Sequence, residues 1–300
     1  MPPSSSNWRK AEPATSADNK RDMNMIASVS RSSGLERGGD DLKDFAIQEE
    51  YLAFIQNKTI FITGKLREGI SASKRSDAFA VEVYETSLFL AITSGDHRRI
   101  SPIISQVTPA LYADTSGPHA HAALALTASL LYHLVTAFPS QMPFQQHLAA
   151  VTGPLLPRDS PSHRWIKALA ASLRQRNYAR FSRLTSSSEI PFAFDGEADD
   201  LGISLGALSL GPRSSRAMAL RALRAVIGML REKVRSNAWA VLRAAYKELS
   251  STAEGAPWLA RALALEQDAG VVARWLNAQE VLGRVRRKEG VEGRWLTCTS

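Results

Sequence analysis

"VEVYETSLFLAITSGDHRRISPII", Val81–Ile104, carries apolar side chains along one helical face, stops at Gly95-Asp96 and resumes at once as a basic helix. Glycine enters the left-handed conformation that ends a helix, and aspartate accepts from the free amides that begin the next. The pair therefore predicts a tight turn that sends the chain back antiparallel. Ser76 or Asp77 is placed to cap the first helix, whose apolar stripe is Phe79, Val83, Tyr84, Leu88 and Ile92. "WIKALAASLRQRNYARFSRL", Trp165–Leu184, repeats the design with Arg176-Asn177 in place of Gly95-Asp96. Between the two, "PHAHAALALTASLLYHLVTAF" and, after Pro139-Ser140, "QMPFQQHLAAVTGPLL" read as further helices, with no strand signal. Taking Asp96, Ser140 and Asn177 as equivalent breaks gives separations of 44 and 37 residues. That irregularity suits helical-hairpin repeats better than a strict tandem array. Stacked hairpins need short breaks, because each amphipathic pair buries its face only on a neighbour.

Upstream, residues 1–40 are rich in Ser, Pro, Asn and Gly without an apolar period and are expected to be a disordered tail. From Asp41 the pattern turns helical, offering Leu42, Phe45, Ile47, Leu52, Ile55 and Ile62 to a core. "FITGK", Phe61–Lys65, only superficially resembles a phosphate loop, since Thr59 and Leu66 stand where the first Gly and the magnesium-binding hydroxyl belong. Residues 186–211 lose the helical period and collect Gly, Ser, Asp and Glu, which predicts a loop at the end of a repeat domain spanning 41–211.

After Pro212 the sequence is helical to about Leu249, with a break expected near Ser236-Asn237 and a core stripe of Leu220, Leu223, Ile227, Leu230 and Val234. Helices over 257–266 and 269–278 follow. The end, "EVLGRVRRKEGVEGRWLTCTS", alternates and holds Gly290 and Gly293 at a turn, as a small hairpin does. Three helices followed by a hairpin is the order of a winged helix. The expected architecture is mainly α: irregular TPR-like helical-hairpin repeats, an α-solenoid, capped by a C-terminal winged helix over 212–300.

The charge is unevenly placed. Lys plus Arg balance Asp plus Glu at 21 each in residues 1–211, whereas residues 212–300 hold 16 against 8. A basic module on a neutral body is expected to meet an acidic partner, nucleic acid or an anionic surface. Arg284, Arg286, Arg287, Lys288 and Arg294 fall on the hairpin beside Trp295, with Arg274 on the preceding helix. Guanidinium groups beside an aromatic suit phosphate and base together, so these seven are the candidate nucleic-acid contacts. Arg213, Arg224, Arg231 and Arg235 lie within about 40° of one another on a helix and form a candidate partner-binding stripe.

Catalytic chemistry finds no foothold. His119 and His121 point about 200° apart if helical, too divergent to chelate one metal. The acidic cluster Glu197, Asp199 and Asp200 has no His or Cys beside it, and no Gly-x-Ser-x-Gly elbow occurs. Catalytic residues, cofactors and metals are all expected to be none. The single cysteine, Cys298, excludes an internal disulfide and agrees with a reducing compartment. The absence of a long apolar run, and of an apolar core near the N-terminus, predicts an intracellular protein without a membrane span. Trp165, Tyr178, Phe181, Trp239, Tyr246, Trp258 and Trp275 sit at helical spacings that favour core positions.

Three stretches resemble the Sac-three/GANP family in family order. "AFAVEVYETSLFLAITSGDHRRISPIISQVTPALY", Ala78–Tyr112, is similar to its Val-x-Val-Tyr-Glu helix with the Gly-Asp turn and a helix ending near Leu-Tyr. "ALAASLRQRNYARFSRL", Ala168–Leu184, is similar to its Gly-Asn-Tyr-x-x-Phe-Phe block, and "WLARALALEQDAGVVARWLNAQEV", Trp258–Val281, to the opening of its winged helix. The resemblance covers roughly residues 65–285. This chain departs from the pattern where "ISASKRSDAFA" replaces an Arg-Gln-Asp-x-Thr-x-Gln segment, where Arg176 replaces Gly and where Ser182 replaces the second Phe. The family belongs to the PCI class of helical repeats capped by a winged helix. The resemblance implies a non-enzymatic nuclear scaffold, with the cytoplasm also open to it, acting in mRNA processing or export. It would bind a small acidic protein, and RNA or single-stranded DNA through the winged-helix end. The proteasome-lid, signalosome and initiation-factor subunits of the same class give the alternative, a subunit acting through protein contacts alone.

Overall fold

A computed structural model describes residue 26 and residues 41–55, 62–107, 111–115, 119–151, 153, 155–186, 189–192, 194, 212–266 and 270–298, and these are mainly helical. Apart from Ile26, the expected tail over 1–40 lies outside the described residues, as do Glu197, Asp199, Asp200 and most of the expected loop over 186–211. A 3-10 turn at Asp41–Lys43 leads into α1 (Phe45–Ile55), α2 (Ile62–Ser73), α3 (Ala78–Thr93), α4 (His97–Gln106) and α5 (Tyr112–Asp114). Then come α6 (Ala122–Ala137), α7 (Met142–Val151), α8 (Pro161–Arg174), α9 (Tyr178–Leu184) and α10 (Glu189–Phe192). The remainder is α11 (Pro212–Ala245), β1 (Glu248–Ser250), α12 (Ala256–Ala262), α13 (Val271–Val281), β2 (Val285–Arg287) and β3 (Arg294–Thr297).

The turn after α3 closes with the Gly95 amide donating to the Ile92 carbonyl at 3.1 Å and the Asp96 amide to Ala91 at 3.0 Å. Gly95 has φ +70°. After α8 the same two bonds recur, from the Arg176 amide to Leu173 at 3.1 Å and from Asn177 to Ser172 at 2.8 Å, and here the left-handed residue is Arg176 at φ +52°. This paired closure satisfies carbonyls that a helix end otherwise leaves open. Asp77, not Ser76, caps α3 by accepting from the Ala80 amide at 3.0 Å, and Asn177 caps α9 by accepting from Arg180 at 3.0 Å. Asp96 makes no cap hydrogen bond; its carboxylate is held by Arg99 at 2.9 Å instead. The break at Ser140 is of another kind, because no left-handed residue stands at the end of α6. The three breaks are therefore not equivalent, and the spacings of 44 and 37 residues mark no period.

Neighbouring helices pack as hairpins, α3 on α4, α6 on α7 and α8 on α9, but α11 then returns across both α3 and α6. In an open stack of repeats each touches only its neighbours, and the packing of α11 on both α3 and α6 departs from that pattern. Helix α11 runs unbroken through Ser236-Asn237, where a break was expected, and the Asn237 amide group donates to the Tyr178 hydroxyl at 2.9 Å. It stops at Ala245, short of Leu249, and the chain enters β1. One apolar cluster gathers α1–α9 with Leu223, Ile227, Leu230 and Val234 of α11. A second begins at Ala238 and takes in Trp239, Leu249, Leu259, Leu276, Val285 and Trp295. The division between cores falls inside α11 rather than at residue 212. Phe45, expected in the core, is 48% exposed and lies under the Arg75 guanidinium at 4.5 Å.

Candidate binding surface

The strands of the C-terminal module form one antiparallel sheet in the order β1-β3-β2, with Leu249 opposite Trp295, Ser250 opposite Arg294, and Arg286 opposite Leu296. Gly290 and Gly293, at φ +71° and +72°, let the β2–β3 connection turn. Side chains alternate across a sheet, so turning Leu249, Val285 and Trp295 toward the helices sends Glu248, Arg286 and Arg294 to the outer face. Glu248 sits there among cations: Lys288 Nζ donates to its carboxylate at 2.8 Å and Arg294 lies at 3.5 Å. The Lys288 hydrogen bond holds the Glu248 carboxyl below its ordinary pKa against desolvation, and the charges of Lys288 and Arg294 add to the lowering.

The seven hairpin candidates divide. Arg286 is exposed on this face; Arg284, exposed just before β2, donates to Gln279 Oε1 of α13 at 3.3 Å, and Arg274 is exposed on α13. Lys288 and Arg294 are shared with Glu248. Arg287 is turned aside, donating to Asn277 Oδ1 at 2.8 Å, pairing with Glu280 at 3.3 Å and lying over the Trp295 ring at 5.3 Å. Trp295 corrects its expectation as a stacking platform: it is 4% exposed and its indole donates to Ser251 Oγ at 3.0 Å. Pairing with Leu249 across the sheet carries it into the core.

The α11 stripe is corrected more strongly. Arg231 is 7% exposed and donates to the carbonyls of Ala264 at 3.0 Å, Thr185 at 3.1 Å and Leu265 at 3.1 Å, with Glu266 at 2.9 Å. Arg235 donates to Leu263 at 3.2 Å and Ala264 at 3.3 Å and pairs with Glu232. Both guanidinium groups are spent on carbonyls left open at the ends of α9 and α12, where cations are favoured. Arg224 is exposed, and the side chain of Arg213 lies outside the described residues.

Several surface features escaped the sequence reading. Tyr246 and Trp258 are exposed and stack edge to face at 5.4 Å, although their spacing favoured the core. Residues 141–186 hold Arg158, Arg164, Lys167, Arg174, Arg176, Arg180 and Arg183, all exposed, against Asp159 alone. The balanced total for residues 1–211 hid this segregation, which a local charge count reveals. His119 and His121 lie in the turn before α6, and each keeps a buried ring nitrogen without a hydrogen-bond partner.

Among the described residues no group of His, Cys, Asp and Glu is arranged to hold a metal ion, and no helix is long and apolar enough to cross a membrane. The most perturbed carboxyl is Glu85, buried in α3, which accepts from the Tyr112 hydroxyl at 2.6 Å. Burial raises its pKa to about 7 against the Tyr112 hydrogen bond, and Glu82 adds to the rise. No protein-family model matches the chain, and no curated protein matches it significantly.

Proposed function

We propose that the chain is a non-enzymatic PCI-type scaffold subunit of the Sac-three/GANP kind, working in the nucleus in mRNA processing or export. In this reading its helical hairpins hold protein partners, including a small acidic protein. Its C-terminal module is a winged helix that meets RNA or single-stranded DNA. The order α11–β1–α12–α13–β2–β3, with β3 central in the sheet, supports the winged-helix reading. The observation that carries the nucleic-acid reading is the cationic outer face of the sheet, where Arg286 reaches solvent beside the Lys288–Glu248–Arg294 cluster, with Arg284 exposed just before β2.

A fluorescence titration with single-stranded RNA over a salt series tests it. About three to five phosphate contacts give a slope of roughly −2 to −3.5 in log affinity against log salt. The double variant Arg284→Ala/Arg286→Ala flattens that slope by about 1 to 1.5. No binding at low salt removes the nucleic-acid role. A second reading, protein contacts alone, is supported by exposed Val241, Trp258, Val281 and Leu282 on the same module. Recovery of proteasome-lid or signalosome subunits in fixed ratio from nuclease-treated extract would select it.

A further inference from the structure

We propose that the groove between α7 and α8 is a binding site for a small phosphate-ester anion carrying two or more negative charges. The open groove holds about 540 Å³, with Gln145, Leu148 and Ala149 on α7, Arg158 just before α8, and His163, Arg164 and Lys167 on the first two turns of α8. That volume lies within the range of about 300–1,000 Å³ usual for small-ligand sites. The apolar floor suits the organic part of an ester and the cationic rim its phosphate oxygens.

The placement of the charges is costly unless an anion arrives. Helix α8 is 14 residues long, is capped by Ser160, starts with Pro161 and has no acidic residue in its first turn. Its amide end already carries positive partial charge, which favours anions and disfavours cations. Arg158 and Arg164 nevertheless flank this end, with Lys167 one turn further along, and among the described residues none of the three makes an ion pair. Asp159 is the one carboxylate beside them, too little to neutralise three cations.

His163 is the second, independent sign. It lines the groove and is 4% exposed, its backbone amide donates to Ser160 Oγ at 3.2 Å, and its Nδ1 is buried without a hydrogen-bond partner. Burial lowers its pKa first; Lys167 and Arg158 lower it further, while the Arg158 backbone and Asp159 act the other way. Burial is thus the main cause that keeps the ring neutral at neutral pH, and repulsion from Lys167 and Arg158 adds to it. A bound polyanion cancels that repulsion and raises the His163 pKa.

NMR of the histidine-labelled full chain, titrated with inorganic tripolyphosphate at constant ionic strength, reads this directly. The His163 resonances should move saturably and its pKa should rise. The exposed double variant Arg164→Ala/Lys167→Ala should bind about tenfold or more weakly, from the loss of charge-assisted hydrogen bonds. An unmoved His163, or an equal shift when chloride replaces the tripolyphosphate at matched ionic strength, overturns the site. So does displacement of tripolyphosphate by single-stranded RNA whose affinity falls in the same variant, since the groove would then belong to a nucleic-acid track. Retained RNA binding with lost tripolyphosphate binding in that variant supports a separate small-anion site, independently of whether the sheet face binds nucleic acid.

Discussion

Two arginines of the C-terminal third meet opposite surroundings. Arg231 lies where the two apolar clusters join, its guanidinium ringed by three carbonyl oxygens and the Glu266 carboxylate. Arg286 stands on the outer face of the sheet, opposite Leu296 and open to solvent. Helix ends make the difference: α9 and α12 both stop beside α11, and their last carbonyls need donors that water cannot supply in a closed junction. Among the described residues no helix end meets the outer face of the sheet, so Arg286 is left open to solvent there.

The largest effect that can break this comparison is expected at the junction. Arg231→Met strands the buried Thr185 and Leu265 carbonyls and leaves that of Ala264 to Arg235 alone, which should cost about 2–4 kcal/mol. Arg286→Met on the sheet should change stability by no more than about 0.5 kcal/mol. Urea melts of the two variants check both; equal midpoints would place Arg231 on the surface after all.

Glu85 is the acidic counterpart of Arg231, a charge-bearing group turned inward, but with a single neutral donor, the Tyr112 hydroxyl, in place of a full set. Its folded pKa of about 7 lies above the ordinary 4.5. The folded state therefore takes up a proton that the unfolded state releases, and stability rises as pH falls from above 7 toward 4.5. Glu85→Gln keeps an acceptor for Tyr112 and abolishes that rise. The variant should gain up to about 3 kcal/mol at alkaline pH and almost nothing at mildly acidic pH. Stability curves at about pH 8 and about pH 5 measure it, and a gain equal at both would assign the effect to packing instead.

What could be foreseen follows the range of the forces involved. Helix ends were legible because Gly95, Asp77 and Asn177 act on their own neighbours, and so were the hairpin glycines Gly290 and Gly293. Which arginine faces water was not legible, because the partners of Arg231 lie at Thr185 and Ala264, distant in sequence and brought close only by packing. Trp295 failed for the same reason: β1 draws it inward, and Glu248–Ser250 read as the tail of a helix. The α7–α8 groove was hidden by summing charge over 211 residues, although its cations sit within ten positions of one another.

The smallest effect belongs to an outward arginine that acts through its backbone. Arg176 is exposed and stands at φ +52°, where a residue with a Cβ loses about 1–2 kcal/mol relative to the right-handed region. Its counterpart Gly95 reaches φ +70° without that penalty, and an added Cβ there meets nothing within 4 Å. Gly95→Val should therefore cost about 1–2 kcal/mol from conformation alone, since no clash contributes. Arg176→Gly relieves the strain but frees the unfolded chain, so the net gain should stay below about 1 kcal/mol. Thermal melts of both variants compare the two turns with side-chain contacts taken out. If Arg176→Gly destabilises instead, the arginine side chain is held by a contact of its own, and Arg176 belongs with Arg231 rather than with Arg286.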